Sequence, residues 1–259
     1  DTGDKVTITG ENFGTDPSDI SVSFNGTPAE FELVDESTIV ATTPADYQTG
    51  SVTVTIHGYT MTGGAMFNPN SKGDVTVLYL QNYKQPFAKA NDENWKNGEW
   101  WTPAVWNQNA ASFNAKGNTT VSGMQYKSEE GLTLAFQNGW DKEAYTNGKM
   151  WQVATLRPGK YRLEVTYAYT LVVTDAGNFI SVLIAKGDSE SDIPNVADLE
   201  QLNGVYVAYD KMGTANDSGT LVTPSFEVTE TTDVVIGFLT SLAKGNSYFK
   251  VTELKLILE

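Results

Sequence analysis

Short runs of alternating apolar and polar residues, each cut off by turn residues, recur along this chain and limit what it can fold into. Val6-Thr7-Ile8-Thr9 stops at Gly10, and Ser21-Val22-Ser23-Phe24 stops at Asn25-Gly26. A period of two sends successive side chains to opposite faces of a strand, and Asn-Gly tolerates the positive φ of a tight hairpin. Phe31–Val34, Thr38–Thr42 and Ser51–Ile56 continue the series, the last after Thr49-Gly50. No helical period separates them, so residues 1–69 predict a compact sandwich of short strands.

The scale changes after Asn68-Pro69-Asn70-Ser71-Lys72-Gly73-Asp74, a polar, turn-forming linker between apolar runs. Beyond it, residues 75–259 predict longer strands at Val75–Leu80, Leu132–Phe136, Met150–Leu156, Tyr161–Thr170, Phe179–Ala185, Leu221–Val228, Asp233–Leu239 and Tyr248–Leu258. The connections are too long for a meander, and a C-terminal strand that closes the sheet is what a jelly roll requires. Arg157-Pro158-Gly159-Lys160 is a tight turn between two of these strands. The stretch from Asn82 to Lys127, rich in Trp and Asn, has little periodicity. With 259 residues the chain suits two domains, and both read as all-β.

Charge narrows the partners. Seventeen Lys and Arg stand against 32 Asp and Glu, a formal net charge of −15. Nucleic-acid binding needs clustered cations to displace phosphate counterions, and none are clustered here, so no nucleic-acid partner is expected. The same charge disfavours anionic membranes, and no apolar run approaches the roughly 20 residues of a membrane span, so this segment does not itself insert. Cysteine is absent, which removes disulfides and thiol chemistry. The sequence opens at Asp1 without a methionine or signal-like stretch, and an export signal or lipid anchor is expected to lie outside it.

Four segments carry a resemblance. Gly3-Asp4-Lys5-Val6-Thr7-Ile8-Thr9-Gly10-Glu11-Asn12-Phe13-Gly14, then Val22-Ser23-Phe24-Asn25-Gly26-Thr27-Pro28-Ala29, Thr38-Ile39-Val40-Ala41-Thr42-Thr43-Pro44 and Gly50-Ser51-Val52-Thr53-Val54-Thr55-Ile56 follow the order of an IPT/TIG domain. The resemblance implies an immunoglobulin-like spacer or interaction module. Some relatives occur in DNA-binding proteins, but Lys5 stands here against ten acids. Asn147-Gly148-Lys149-Met150-Trp151-Gln152 and Thr155-Leu156-Arg157-Pro158-Gly159-Lys160-Tyr161, with the ending Phe249-Lys250-Val251-Thr252-Glu253-Leu254-Lys255-Leu256, resemble galactose-binding-like sandwiches. Such modules close Bacteroidetes surface lipoproteins. The two together resemble surface glycan-binding proteins of polysaccharide-utilisation systems, which implies an extracellular, lipid-anchored position on the outer membrane.

Chemistry concentrates in the aromatic segment. All six tryptophans, Trp95, Trp100, Trp101, Trp106, Trp140 and Trp151, lie between residues 95 and 151 among Asn91, Asp92, Asn94, Asn97, Asn107, Gln108, Asn109, Asn138 and Asp141. Flat aromatic faces stack on the C–H faces of sugar rings while amides and carboxylates bond the hydroxyls. The same tryptophans are also the side chains that plug sandwich cores, and Trp151, in mid-strand, reads as core. Trp100 and Trp101 are adjacent, so an extended backbone points them apart and at most one is deeply buried. Trp100, Trp101, Trp106 and Trp140, with Asn138 and Asp141, are the candidate ligand-binding residues.

Catalytic sets are harder to assemble. Glycoside hydrolysis needs two opposed carboxylates, and Glu99, Glu129, Glu130, Asp141 and Glu143 form no recognisable signature. His57 is the lone histidine, so no Ser–His–Asp triad or zinc site can be composed. Asp188-Ser189-Glu190-Ser191-Asp192 alternates acids but has Ile193 and Leu199 where an EF-hand needs Gly and Glu, so it reads as a solvated loop. No cofactor is expected, and a structural calcium in the second domain stays an open alternative without named ligands.

The sequence therefore predicts a non-catalytic, cell-surface binder of poly- or oligosaccharides, working beside other surface proteins of a glycan-uptake system. The first domain would be its spacer. A structural or adhesion protein that presents the aromatic segment to a protein partner is the alternative, and a carbohydrate-active enzyme a more remote one.

Overall fold

A computed structural model describes residues 3–45, 47–68, 72–90, 100–113, 122–138, 144–172, 177–213, 217–243 and 247–259. Its contacts divide the chain into two compact units, Asp1–Leu78 and Tyr79–Ile257, with the last two residues split between them.

The first unit holds β1 (Lys5–Thr9), β2 (Ile20–Phe24), β3 (Thr27–Ala29), β4 (Phe31–Asp35), β5 (Thr38–Thr42), β6 (Gly50–Ile56), β7 (Tyr59–Met66) and the short β8 (Gly73–Asp74). One sheet runs β1-β5-β4 and the other β3-β2-β6-β7. Asn25 and Gly26 take φ of 45° and 84°, the twist that lets β2 turn straight into β3. Alternation in β2 and β5 buries Val22, Phe24, Ile39 and Ala41 between the sheets, and Tyr47 meets Phe24 edge-on at 5.6 Å. Each such side chain stabilises the unit by about 1.5–3 kcal/mol. Phe13 is buried over Gly10, where a Cβ would collide with its ring.

The expected strand Val75–Leu80 is instead a helical turn, α1 (Thr76–Tyr79). Asp74 decides this: its Oδ1 accepts the Thr76 N–H at 3.0 Å and the Thr76 hydroxyl, a cap that starts helix despite the β-branched residues. The aperiodic stretch contains β9 (Trp100–Trp101), β10 (Asn107–Gln108), the helical turn α2 (Ala110–Phe113) and β11 (Ser122–Lys127). There follow β12 (Gly131–Asn138), β13 (Tyr145–Leu156), β14 (Gly159–Tyr167), β15 (Phe179–Lys186), α3 (Leu199–Leu202), β16 (Val207–Lys211), β17 (Gly219–Val222), β18 (Phe226–Val228), β19 (Thr232–Leu242) and β20 (Ser247–Leu258). The expected strand Leu221–Val228 is two, because Pro224 has no N–H to give a ladder and Thr223 bonds Leu163 from outside either strand.

The second unit is a jelly-roll β-sandwich. A smaller sheet runs β10-β13-β19-β15-β16, and a larger one β17-β14-β20-β12-β11-β9, with β18 also on β14. Between them Phe136 and Phe249 of the larger sheet meet Phe238 of the smaller at centroid distances of 5.0 and 6.4 Å. A second apolar layer lies outside the smaller sheet, where Trp151, Leu183, Val207, Val235 and Leu239 are covered by Ile193 and Leu199. Lys149 ties that cover down, donating to the carbonyls of Ile193 (2.6 Å) and Glu190 (3.2 Å). Burial pushes its pKa below the ordinary lysine value, partly offset by the Glu190 charge. Val153, on the same face of β13 as Trp151, is 41% exposed, so this layer covers only part of the smaller sheet.

Candidate functional site

The aromatic segment is largely interior. Trp106 is 5% exposed, packs on Phe238 at 5.7 Å and donates its indole N–H to the Asn82 carbonyl at 3.0 Å. Asn82 organises that neighbourhood through its amide, bonding Ala88 and Ala104. Trp100 is also 5% exposed, while Trp101 is partly buried. Register sets Trp100 opposite Gln125 and Trp101 opposite Met124, so the two indoles face opposite sides of the sheet and cannot share a platform. Asn138 is fully buried and donates to the Leu242 carbonyl at 3.2 Å. Trp95, Trp140 and Asp141 lie outside the described residues. Three of the expected contacts, Trp100, Trp106 and Asn138, are thus buried: Trp106 packs on Phe238 from outside any strand, Asn138 lies on the core side of β12, and Trp100 shares the face of Gln125.

Alternation defines a different surface. In β20, Phe249 and Val251 enter the core, so Tyr248 and Lys250 stand on the outer face. Register places Gln137 beside Tyr248, Ala135 beside Lys250, and Thr133 beside Gln125 on that face. Lys250 Nζ forms a close ion pair with Glu130 and lies 5.2 Å from the centroid of the Tyr248 ring. Gln85 Nε2 bonds the Glu130 carbonyl at 2.8 Å and fixes that turn. Gln125 Oε1 and Thr133 Oγ1, on residues 4% and 0% exposed, are buried without a hydrogen-bond partner. An unmet buried polar atom costs about 1–3 kcal/mol, so such atoms mark places where another polar group is wanted.

The segment Ala168–Leu171 runs along β20 next to that face. Leu171 exchanges both backbone hydrogen bonds with Tyr248 (2.9 and 2.7 Å), which extends the row Gln137–Tyr248 outward. Two residues earlier, Tyr169 is 46% exposed and holds φ of 53°. A tyrosine pays sterically for that conformation, by about 1–3 kcal/mol, and keeps it only where its surroundings over-determine it. They do so here. Ala168 N–H bonds the Lys250 carbonyl (3.0 Å), Thr170 N–H bonds the Asp217 carbonyl (2.9 Å), and Lys250 N–H bonds Thr170 Oγ1 (3.1 Å). The backbone of Lys250 therefore pins the residues on both sides of Tyr169.

Chemically, the face offers the Tyr248 ring, the Gln137 amide and a charge-balanced Lys–Glu pair, with the half-exposed Tyr169 on the neighbouring segment. Glu130 is engaged by Lys250, and Glu164, on the outer side of β14, is engaged by Arg162 at 2.8 Å, so no opposed pair of free carboxylates is formed by these residues. In the acidic loop, Asp192 accepts from the Asp188 and Ser189 amides, the Ser189 hydroxyl and the Tyr206 hydroxyl. The Ser189 hydroxyl bond is the main reason its carboxyl titrates below the usual range. Among the described residues no group of three or more His, Cys, Asp and Glu side chains converges as a metal would require, and no helix is long and apolar enough to cross a membrane. Sequence alternation pointed to Tyr248 and Lys250, had the outer face been the one read. Nothing in the sequence signals the strained backbone of Tyr169.

The family model of the IPT/TIG domain matches residues 1–71, and that of a domain of unknown function (DUF5013) matches residues 81–237. No curated protein matches the chain. Among solved structures, TmCBM61 in complex with β-1,4-galactotriose is 10% identical, with a TM-score of 0.39 over 65% of this chain and 100% of that one. A Bacteroides thetaiotaomicron protein provisionally assigned as a glycoside hydrolase is 11% identical, with a TM-score of 0.40 over 89% and 83% of the two chains. The xylan-binding module CBM15 is 13% identical, with a TM-score of 0.32 over 60% and 96%. Similarity at this level extends to β-rich architecture and no further.

Proposed function

The chain belongs to the family of the DUF5013 domain, and we propose that it is a non-catalytic glycan-binding protein that holds a poly- or oligosaccharide on the outer face of its larger sheet. The observation that carries this reading is Tyr169, half-exposed in a left-handed conformation that the Lys250 backbone enforces, on a segment whose Leu171 pairs with Tyr248. Rigid rings at the surface stack on sugar faces at low entropic cost, and an adjacent amide bonds hydroxyls in either direction. The Lys250–Glu130 pair is neutral as a unit, which suits an uncharged sugar. Both nearby carboxylates are held by cations, which supports binding without hydrolysis. The net charge of −15 and the IPT/TIG module suit a protein that works outside the cell, anchored at a surface beside other glycan-uptake proteins.

The test uses Tyr248→Ala and Gln137→Ala, assayed by mobility in gels containing neutral polysaccharides (xylan, galactan, β-glucan, mannan) and by thermal melting. Loss of one ring should cost about 0.5–1.5 kcal/mol, a several-fold to tenfold weaker affinity, with melting nearly unchanged. Wild-type mobility of both variants in every gel that retards the wild type removes the site. Retention of a protein partner by the same face, with no glycan bound, would favour the adhesion reading.

A further inference from the structure

The first unit has a second feature, separate from the glycan reading. Among the described residues, strand β1 ends one sheet and β7 ends the other, so each has an edge unpaired by them. Between these edges lies a cleft of about 500 Å³ lined by Val6, Ile8, Phe13, Val54, Met61 and Met66 among others. Opposite Val52 the β6–β7 register slips, placing Gly63 and Gly64 in a bulge. A Cβ on Gly64 would meet nothing within 4 Å, and one on Gly63 only the Val52 carbonyl at 3.4 Å. Glycines at such a point let another backbone approach closely.

We propose that this cleft accepts an extended segment of a basic protein partner, which adds as a strand along the free edges of β1 and β7. Main-chain groups on the edges supply the pairing, and the apolar floor selects alternate side chains of the incoming strand. The cleft is six residues long on the β1 side, Val6 to Glu11, which sets the length of the segment. Charge decides the kind of partner. Glu11 is the ionisable side chain in the lining, and it also lines a neighbouring hollow with Asp35 and Glu36. Within residues 1–67 there are ten acids and one lysine, so a second copy of this chain would be repelled while a segment carrying lysine or arginine is attracted.

The experiment uses the whole chain and two fluorescein-labelled peptides, Lys-Val-Thr-Val-Thr-Val-Lys and its counterpart with Glu at both ends, read by anisotropy. The lysine peptide should bind at least tenfold more tightly, and more weakly as salt is raised. Gly64→Phe fills the cleft from a position with free space, so it should abolish binding without lowering the melting temperature. Glu11→Gln should weaken binding several-fold. Equal affinity for the two peptides, no binding of either at millimolar concentration, or unaltered binding by Gly64→Phe overturns the proposal. A concentration-dependent dimer that Gly64→Phe dissolves would overturn it in favour of self-association.

Discussion

Replacing Tyr169 by glycine should weaken binding while leaving stability nearly unaltered. Holding a tyrosine at φ 53° carries a conformational cost of about 1–3 kcal/mol, which glycine does not incur. Glycine brings its own cost, about 0.5–1 kcal/mol of extra backbone entropy lost on folding. Tyr169 is 46% exposed, so about half of a full burial is also lost, about 1–1.5 kcal/mol. The terms nearly cancel, and the variant should lie within about 1 kcal/mol of the wild type, which for a unit of this size moves the melting temperature by no more than about 2–4 °C. Glycan affinity, in contrast, should fall by a factor of several to about ten, since a stacking ring contributes about 0.5–1.5 kcal/mol. Tyr169→Phe keeps the ring and the strain and should bind nearly as the wild type does. Differential scanning calorimetry and titration calorimetry on the three proteins provide the numbers. A marked fall in melting temperature for Tyr169→Gly would mean that the ring is structural. Unaltered affinity would mean that the strain serves something other than this ligand.

Trp106→Ala should behave as a core lesion, losing about 3–5 kcal/mol in chemical denaturation, whereas Trp106→Phe should lose only the Asn82 hydrogen bond and part of the packing, about 1–2 kcal/mol; equal, small losses would place the indole outside the core. Lys250→Met leaves Glu130 without its cation and should cost about 2–4 kcal/mol, most of it recovered when Glu130→Gln is added; an additive double variant would show that the ion pair carries no coupling. Burial, reinforced by the hydrogen bond to Asp192, raises the Tyr206 pKa to about 12, and burial raises those of Tyr145 and Tyr161 as well. A phenol whose folded pKa exceeds its unfolded value of about 10 stabilises fully below that pH and loses its contribution between about 10 and 12. The stability gap between wild type and Tyr206→Phe should therefore shrink across that window, and a constant gap in melts from pH 9 to 12 would contradict the assignment.

How much of this was legible depends on whether local pattern or tertiary context decides a segment. Alternation located β2, β5, β6, β12 and β20 to within a few residues, and Asn25-Gly26 located a hairpin, because both signals are local. Tyr59–Met66 escaped notice because Gly63-Gly64 breaks its apolar pattern, and Val75–Leu80 was misread because one aspartate cap outweighs β propensity. Tryptophan density carries no orientation, since indoles fill cores as readily as they bind sugars, and only packing shows Trp106 to be interior. Tyr169 carries its meaning in a backbone angle, which a residue name does not encode.

The central claim, that a glycan lies on the outer face of the larger sheet, is tested most directly by hydrogen exchange of the intact chain with and without a saturating polysaccharide that retards it in gels. Exchange should slow in the segments around Gln137–Asn138, Ala168–Val172 and Ser247–Thr252, and stay unaltered in β15 and β16 of the opposite sheet. Protection confined to the smaller sheet or to residues 3–68, with those three segments unaltered, would contradict it.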